Sequence, residues 1–295
     1  VQTLKPSLQY VNEKGVYFRS DCLELLKNIK SNSIDMVFTD PPFNLGKDYL
    51  NPKFNDLMEK SEYEGWCRSW LSELIRVLKP GGTLTVYSLP KWAIDMGAWL
   101  NQRPEIRFRN LIALKNKSGF PIRGRLHPAH YSILYYVKNG AKETFHVVRH
   151  KAPTCRFCGK EIRDYGGYRK KFDKYEDKDG VPWIRISDLW EDTRPARQDK
   201  AQKRTVNELG FFVPERVILM GSDKGDVILD IFGGGGSTFH SAQEHGRYWI
   251  GCDINPDPAL GRFASIYGRE ETNSIPQKIQ NCFDSDFLAA HALPR

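Results

Sequence analysis

Long apolar runs are missing from this chain. Stretches such as residues 227–229 fall far short of the roughly 20 residues that a membrane-spanning helix needs. The first ten residues carry no apolar block of the secretory type, so a cytoplasmic location with no membrane partner is the expectation. Cysteine is sparse, at six residues, and Cys22, Cys67, Cys252 and Cys282 are scattered. That pattern excludes a secreted disulfide framework. Internal repeats and low-complexity tracts are absent as well. What remains is 295 residues, 40% hydrophobic and 12% aromatic, enough for one α/β domain with a buried core and a smaller insert. The net charge of +8 favours a polyanionic partner, and its distribution says more than its sum. Residues 103–125 carry seven Lys/Arg against one Glu, and residues 151–204 carry fifteen against ten Asp/Glu. A solvated basic face is the plain alternative for either stretch.

Periodicity supplies the coarse layout. Residues 16–18 and 36–38 read as short strands, with a helix over 22–29 between them and Asp21 as its N-cap. Trp66, Trp70, Leu71, Leu74 and Leu78 line one face of a helix over 63–78, which Pro80-Gly81-Gly82 should stop. Residues 83–87, 111–114 and 132–137 read as further strands. From about 141 to 203 the chain is polar and basic, and reads as an insert. Helical spacing returns over 207–221. A buried strand over 226–230, a glycine turn, a helix start at Ser237 and a strand over 248–252 follow. Strands alternating with helices predict a mostly parallel sheet, doubly wound with helices on both faces.

The run Asp230-Ile-Phe232-Gly233-Gly-Gly235-Gly-Ser237-Thr238 is strand, glycine turn and helix start. Glycines let backbone approach a ligand, and a helix N-terminus presents N–H groups to it. Asp253 stands twenty residues past Gly233, where an acid can accept bonds from ribose hydroxyls. Together they suit an adenosine-containing cofactor. A dinucleotide dehydrogenase needs roughly 100 residues of βα units after such a loop. Only 57 residues follow Thr238, so the other strands must come from earlier in the chain, and the sheet is expected to be circularly permuted.

Asp40-Pro41-Pro42-Phe43 ends the strand at 36–38. Two prolines remove two backbone donors and fix φ, leaving carbonyls to accept bonds from elsewhere. The Asp40 carboxylate adds a second acceptor, and Phe43 adds a flat face. This combination suits an exocyclic amino group on an aromatic ring. Such a nitrogen is a poor nucleophile, because its lone pair is conjugated. Bonds from both N–H groups to Asp40 and the Pro41 carbonyl would turn the lone pair outward, a matter of positioning and electrostatics. A rigid turn with a surface Asp is the plain alternative.

With Asp40-Pro41-Pro42-Phe43 early and the glycine run late, the chain resembles the permuted (beta-class) DNA amino-methyltransferases, over nearly its whole length. The resemblance implies a Rossmann-like S-adenosylmethionine-dependent methyltransferase fold. Residues 1–140 would be its catalytic half, 141–203 an inserted target-recognition region and 204–295 the cofactor-binding half. It implies S-adenosylmethionine as cofactor, held by Asp21, Cys22, Asn207, Glu208, Asp230, Phe232, Gly233, Gly235, Ser237, Thr238 and Asp253. It implies double-stranded DNA as substrate, with the target base extruded from the helix. In this family a leading Asp in the tetrapeptide goes mostly with adenine N6 and a leading Ser with cytosine N4, so adenine is the first expectation. Cytosine N4, or a catalytically silent nucleic-acid-binding relative, are the alternatives. Cytosine C5 chemistry needs a Cys nucleophile, usually in a Pro-Cys pair, and none is present. The glycine run departs from the family pattern at Ile231, Gly235 and Ser237, which stand where Pro, Ser and Thr are usual. A homodimer and a cognate restriction endonuclease are partners such a protein can have.

Residues 124–133 resemble the family segment lining the base pocket, which makes His127, His130 and Tyr131 candidates for its wall and Arg123 and Arg125 for phosphate contact. Tyr165, Tyr168, Arg169 and Lys170 mix rings with cations in a way that suits nucleic acid. Cys155 and Cys158 form a CxxC followed by Gly159, half of a zinc knuckle. His146 and His150 are the nearby residues that would complete it, and two free thiols in a plain turn are the alternative.

Overall fold

The computed structural model describes residues 4–46, 56–115, 123–124, 126–152, 154–155, 157–160, 174–176, 182–191, 209–268 and 274–291. In chain order its elements are β1 (Ser7–Val11), β2 (Gly15–Arg19), α1 (Cys22–Leu26), β3 (Ile34–Thr39), α2 (Lys60–Val77), β4 (Leu78–Ser88), α3 (Pro90–Leu100), β5 (Ile106–Lys115) and β6 (His130–Lys138). They continue with β7 (Arg149–Lys151), β8 (Lys174–Glu176), β9 (Pro182–Arg185), β10 (Leu189–Trp190), α4 (Phe212–Gly221), β11 (Val227–Asp230), α5 (Ser237–Glu244), β12 (Tyr248–Asp253), α6 (Asp257–Tyr267), α7 (Gln277–Gln280) and α8 (Ser285–Ala290).

Nine strands form one sheet in the order β1-β2-β12-β11-β3-β4-β6-β5-β10. The five from β2 to β4 are parallel to their neighbours. β6 runs antiparallel to both β4 and β5. β3, from the first part of the chain, lies beside β11, from the last part, with Met36 level with Ile228 and Val37 with Leu229. Asp35 fixes this register at the amino end: it accepts from the Val227 N–H at 2.9 Å and pairs with Lys79 at 2.6 Å. The permuted order expected from the sequence is therefore what is observed.

Helices cover both faces, as strand alternation requires. Gly251 of β12 abuts Phe239 of α5, while the next residue, Cys252, faces the Cys22 side, where α1 lies. In the same way Tyr17 of β2 packs on Phe239 and Phe263, and Phe18 packs on Phe283 and Phe287. α2 buries Tyr63, Cys67, Trp70, Leu71 and Leu74 along one stripe. Each large apolar side chain so buried contributes about 1.5–3 kcal/mol.

Several boundaries differ from the sequence reading. Asp21 does cap α1, accepting from Leu23 N at 2.9 Å and Glu24 N at 3.3 Å. α2 stops at Val77, and Pro80-Gly81-Gly82 sits inside β4 as an irregularity, with Gly81 at φ 81°. The helix expected from 207 begins only at Phe212, because Leu209 and Gly210 are not helical. Within residues 141–203, β7, β9 and β8 form a separate three-stranded sheet. β10 instead joins the edge of the main sheet beside β5, with Trp190 buried, so the chain is back in the main fold before residue 203. An apolar anchor two residues long is too short to stand out by periodicity.

Candidate active site

In a parallel sheet the ligand-binding loops leave the carboxyl ends of the strands. Here β2, β12, β11, β3 and β4 stand side by side, and their carboxyl ends carry Asp21, Asp253, the glycine loop, Asp40 and Ser88 respectively. β6 starts at the same end, since Ser132 pairs with Ser88. The Phe43 and Phe232 loops, nearly two hundred residues apart in sequence, thus share one end of the sheet.

The glycine loop is held by short bonds. The Gly233 N–H donates to the Cys252 carbonyl at 2.8 Å, and the Gly236 N–H returns to the Gly233 carbonyl at 2.8 Å. Gly236 adopts φ 79° at the start of α5, where a side chain would be strained. A Cβ on Gly233 would lie 2.8 Å from Phe239 and from Tyr17, so backbone can pass there only without one. Asp253 holds the loop from the next strand: one carboxylate oxygen accepts from Gly234 N at 2.9 Å and the other from Asn255 N at 2.9 Å. Each oxygen keeps a second lone pair for a ligand hydroxyl. The backbone of Ser20 donates to the Asp253 carbonyl at 3.0 Å, which sets Asp21 and Cys22 next to this acid.

Asp230 braces the loop from below. It is 3% exposed, and its oxygens accept from Phe232 N at 3.1 Å and Thr238 Oγ1 at 2.7 Å. Burial pushes its carboxyl up to about 7, against partial relief from the Thr238 and Phe232 bonds. Burial raises Asp253 too. Phe232 turns outward onto α2, with ring centroids 5.5 Å from Trp66 and 5.6 Å from Trp70.

The same helix grips the second loop. Tyr63 donates its hydroxyl to the Pro42 carbonyl at 2.7 Å, and Trp92 of α3 donates its indole N–H to the Phe43 carbonyl at 2.6 Å. Asp56 accepts from Asn44 N at 2.9 Å and Leu45 N at 3.1 Å, holding Asn44 at φ 54°. The Pro42 and Phe43 carbonyls are thereby occupied, and no described residue engages the Pro41 carbonyl. Asp40 is half-buried. Phe43 sits in a group of rings, 6.1 Å from Tyr87 and 6.2 Å from Tyr131, which stack on each other at 5.2 Å. Burial and the nearby Asp40 charge raise the phenols of Tyr87 and Tyr131.

The sequence reading found Asp40, the glycine loop and Asp253, and the structure brings them together. It missed Tyr63, Trp92, Asp56 and Tyr87. Tyr63 could have been found, because it opens the apolar stripe of a readable helix. The other three carry no local signal.

His127, His130 and Arg123 are exposed at the start of β6 and just before it, at the site end. Arg125, Tyr165, Tyr168, Arg169, Lys170, Asn207 and Glu208 lie outside the described residues. The basic stretch 103–125 does not form one patch. Ile106 pairs with Lys138 and Lys115 with His130, so Arg107 is eight residues, or about 27 Å, from the site end of β5. Arg107 and Arg109 both pair with Glu143, at 2.7 and 2.5 Å. Cys155 and Cys158 lie in a tight turn, closed by Gly159 N to the Cys155 carbonyl at 2.9 Å. Backbone N–H groups of Cys158 and Phe157 lower the Cys155 thiol. Among the described residues no group of three or more metal-binding side chains forms. His146 is instead bonded to Asp223 at 2.7 Å. A structural zinc site needs four ligands, so the zinc expectation gains no support here.

Comparison with known proteins agrees with this arrangement. A family model described as DNA methylase, of the N6/N4 type, matches residues 34–259. The chain is 41% identical over 310 residues to the type II methyltransferase M.BamHI of Bacillus amyloliquefaciens, covering 99% of this chain and 70% of that one. Among solved structures, the cytosine-N4-specific PvuII DNA methyltransferase superposes with a TM-score of 0.62 at 18% identity over 95% of this chain and 94% of that one. The M1.HpyAVI–SAM complex superposes with a TM-score of 0.52 at 16% identity over 83% and 97%. The sheet therefore has the permuted α/β methyltransferase fold. With both loops at one end of it and a family match spanning them, this chain belongs to the N6/N4 DNA methylase family.

Proposed function

We propose that the protein transfers a methyl group from S-adenosylmethionine to the exocyclic amino nitrogen of a base extruded from duplex DNA. The observation that carries this reading is the adjacency of β3 and β11, which puts Asp40 and the glycine loop on neighbouring strand ends. The residues fit the cofactor. Asp253 keeps lone pairs for ribose hydroxyls, Gly234 leaves open space where a Cβ would meet only the Phe232 carbonyl at 3.9 Å, and Asp21 keeps the carboxylate oxygen not used in capping. When bound, the cofactor supplies an electrophilic sulfonium methyl.

The chain's own residues do the rest. Asp40 and the Pro41 carbonyl accept the two amino N–H bonds and turn the nitrogen lone pair out of conjugation. Phe43, backed by Tyr87 and Tyr131, holds the ring plane. Asp40 is also the acceptor placed to take the proton that the amino group gives up. Tyr63 and Trp92 hold the two following carbonyls, so the loop is set before substrate arrives. Preorganisation of this kind is where the rate gain lies.

The leading Asp40 supports adenine N6 as the target. The likeness to the PvuII enzyme supports cytosine N4 as a second reading. Transfer of labelled methyl to duplex DNA, followed by digestion and identification of the nucleoside, tests both. The proposal expects N6-methyladenine or N4-methylcytosine, and label in C5-methylcytosine would overturn it. A cytoplasmic location and a cognate endonuclease fit the same reading.

A further inference from the structure

We infer that Leu126 is the wedge that enters the base stack when the target nucleotide leaves it. This rests on the DNA-methylating reading above. Leu126 is 94% exposed and stands four residues before β6. β6 begins at the site end of the sheet, where His130 pairs with Lys115 and Ser132 with Ser88. The next ring along, Tyr131, lies 6.2 Å from Phe43 and 5.2 Å from Tyr87. Five residues of chain reach at most about 18 Å, so Leu126 lies within that distance of Tyr131, at the end of the sheet that carries the site. Its described neighbours Arg123, His127, Pro128, Ala129 and His130 are all exposed, and none of them covers it.

Extruding a base leaves a gap whose unstacked neighbours cost free energy, and proteins that distort DNA commonly fill such gaps with an apolar side chain. A lone exposed leucine is ordinary on a surface. One that is 94% exposed, on a segment with Arg123 and two histidines at the site end of the sheet, is free to meet a partner there. Other exposed apolar residues fit less well. Leu45 is 51% exposed, with its N–H held by Asp56. Phe157 is 99% exposed but lies in the Cys155 turn, which no strand register ties to the site end.

The test uses the full chain and a duplex carrying the mapped methylation site, with 2-aminopurine at or beside the target to report unstacking. Leu126→Ala should lose about tenfold or more of both the fluorescence rise and the methylation rate on paired DNA. It should return to within about threefold of wild type when an abasic nucleotide faces the target, because the base is then already unpaired. Leu126→Met should stay near wild type on both. Equal behaviour of Leu126→Ala and wild type on paired DNA would overturn the wedge. So would a loss that persists unchanged opposite the abasic nucleotide, or the same pattern in Leu45→Ala instead. Wild-type methylation of the paired duplex checks the parent reading separately.

Discussion

Asp230 braces the glycine loop from within the core, through Phe232 N and Thr238 Oγ1. Its carboxyl, pushed from a usual 3.8 up to about 7 by burial, is favoured in its protonated form in the fold. Between these values the unfolded chain ionises while the folded one holds its proton. The resulting stability is full below about pH 4 and is lost as pH rises through 7. Asp230→Asn lacks this dependence. Its melting deficit relative to wild type should therefore shrink from pH 5 to pH 8, as read by thermal unfolding; a constant gap would contradict the assignment. Asp230 and Asp253 were legible in the sequence as acids flanking a glycine run. Tyr87 was not, because a tyrosine in an apolar strand gives no sign that its ring will meet Phe43 across the sheet.

α2 is the element that couples the two loops. Tyr63 holds Pro42, while Trp66 and Trp70, three and seven residues on, hold Phe232. That spacing is one helical face. Tyr63→Phe should cost about 1 kcal/mol of stability and slow turnover more than it weakens cofactor binding, which kcat and calorimetry separate. Equal effects on both would mean that the hydroxyl does not act on the catalytic loop. Gly233→Ala should act in the opposite sense. Its methyl meets Tyr17 and Phe239 at 2.8 Å, so overpacking of about 1–3 kcal/mol is expected, with cofactor affinity falling first. Unchanged affinity would show that the loop yields. The helix stripe and the glycine turn were readable by period and composition. The two-residue strand β10 was not, since a run so short has no period of its own and only the fold sets it beside β5.

At the scale of the molecule, the sheet sorts the charge that composition only counted. Arg107 and Arg109 are at the far end and paired with Glu143, while Arg123 is exposed near the pocket. Each phosphate contact adds about 0.9 to the slope of log K against log salt. Arg123→Ala should lower that slope by about one such unit, and Arg107→Ala should leave it unchanged; a drop with Arg107→Ala would place DNA on the wrong end of the sheet. The permuted strand order was inferable because Asp40-Pro41-Pro42-Phe43 precedes the glycine run in the chain, the order of the family that it resembles. The position of each basic residue was not, because it depends on which way β5 runs. The most direct test of the whole account is methyl transfer by Asp40→Ala, measured beside its binding of S-adenosylmethionine and of duplex DNA. Transfer should fall about a hundredfold or more with both affinities retained. Transfer at the wild-type rate would show that the amino group is not activated where β3 ends.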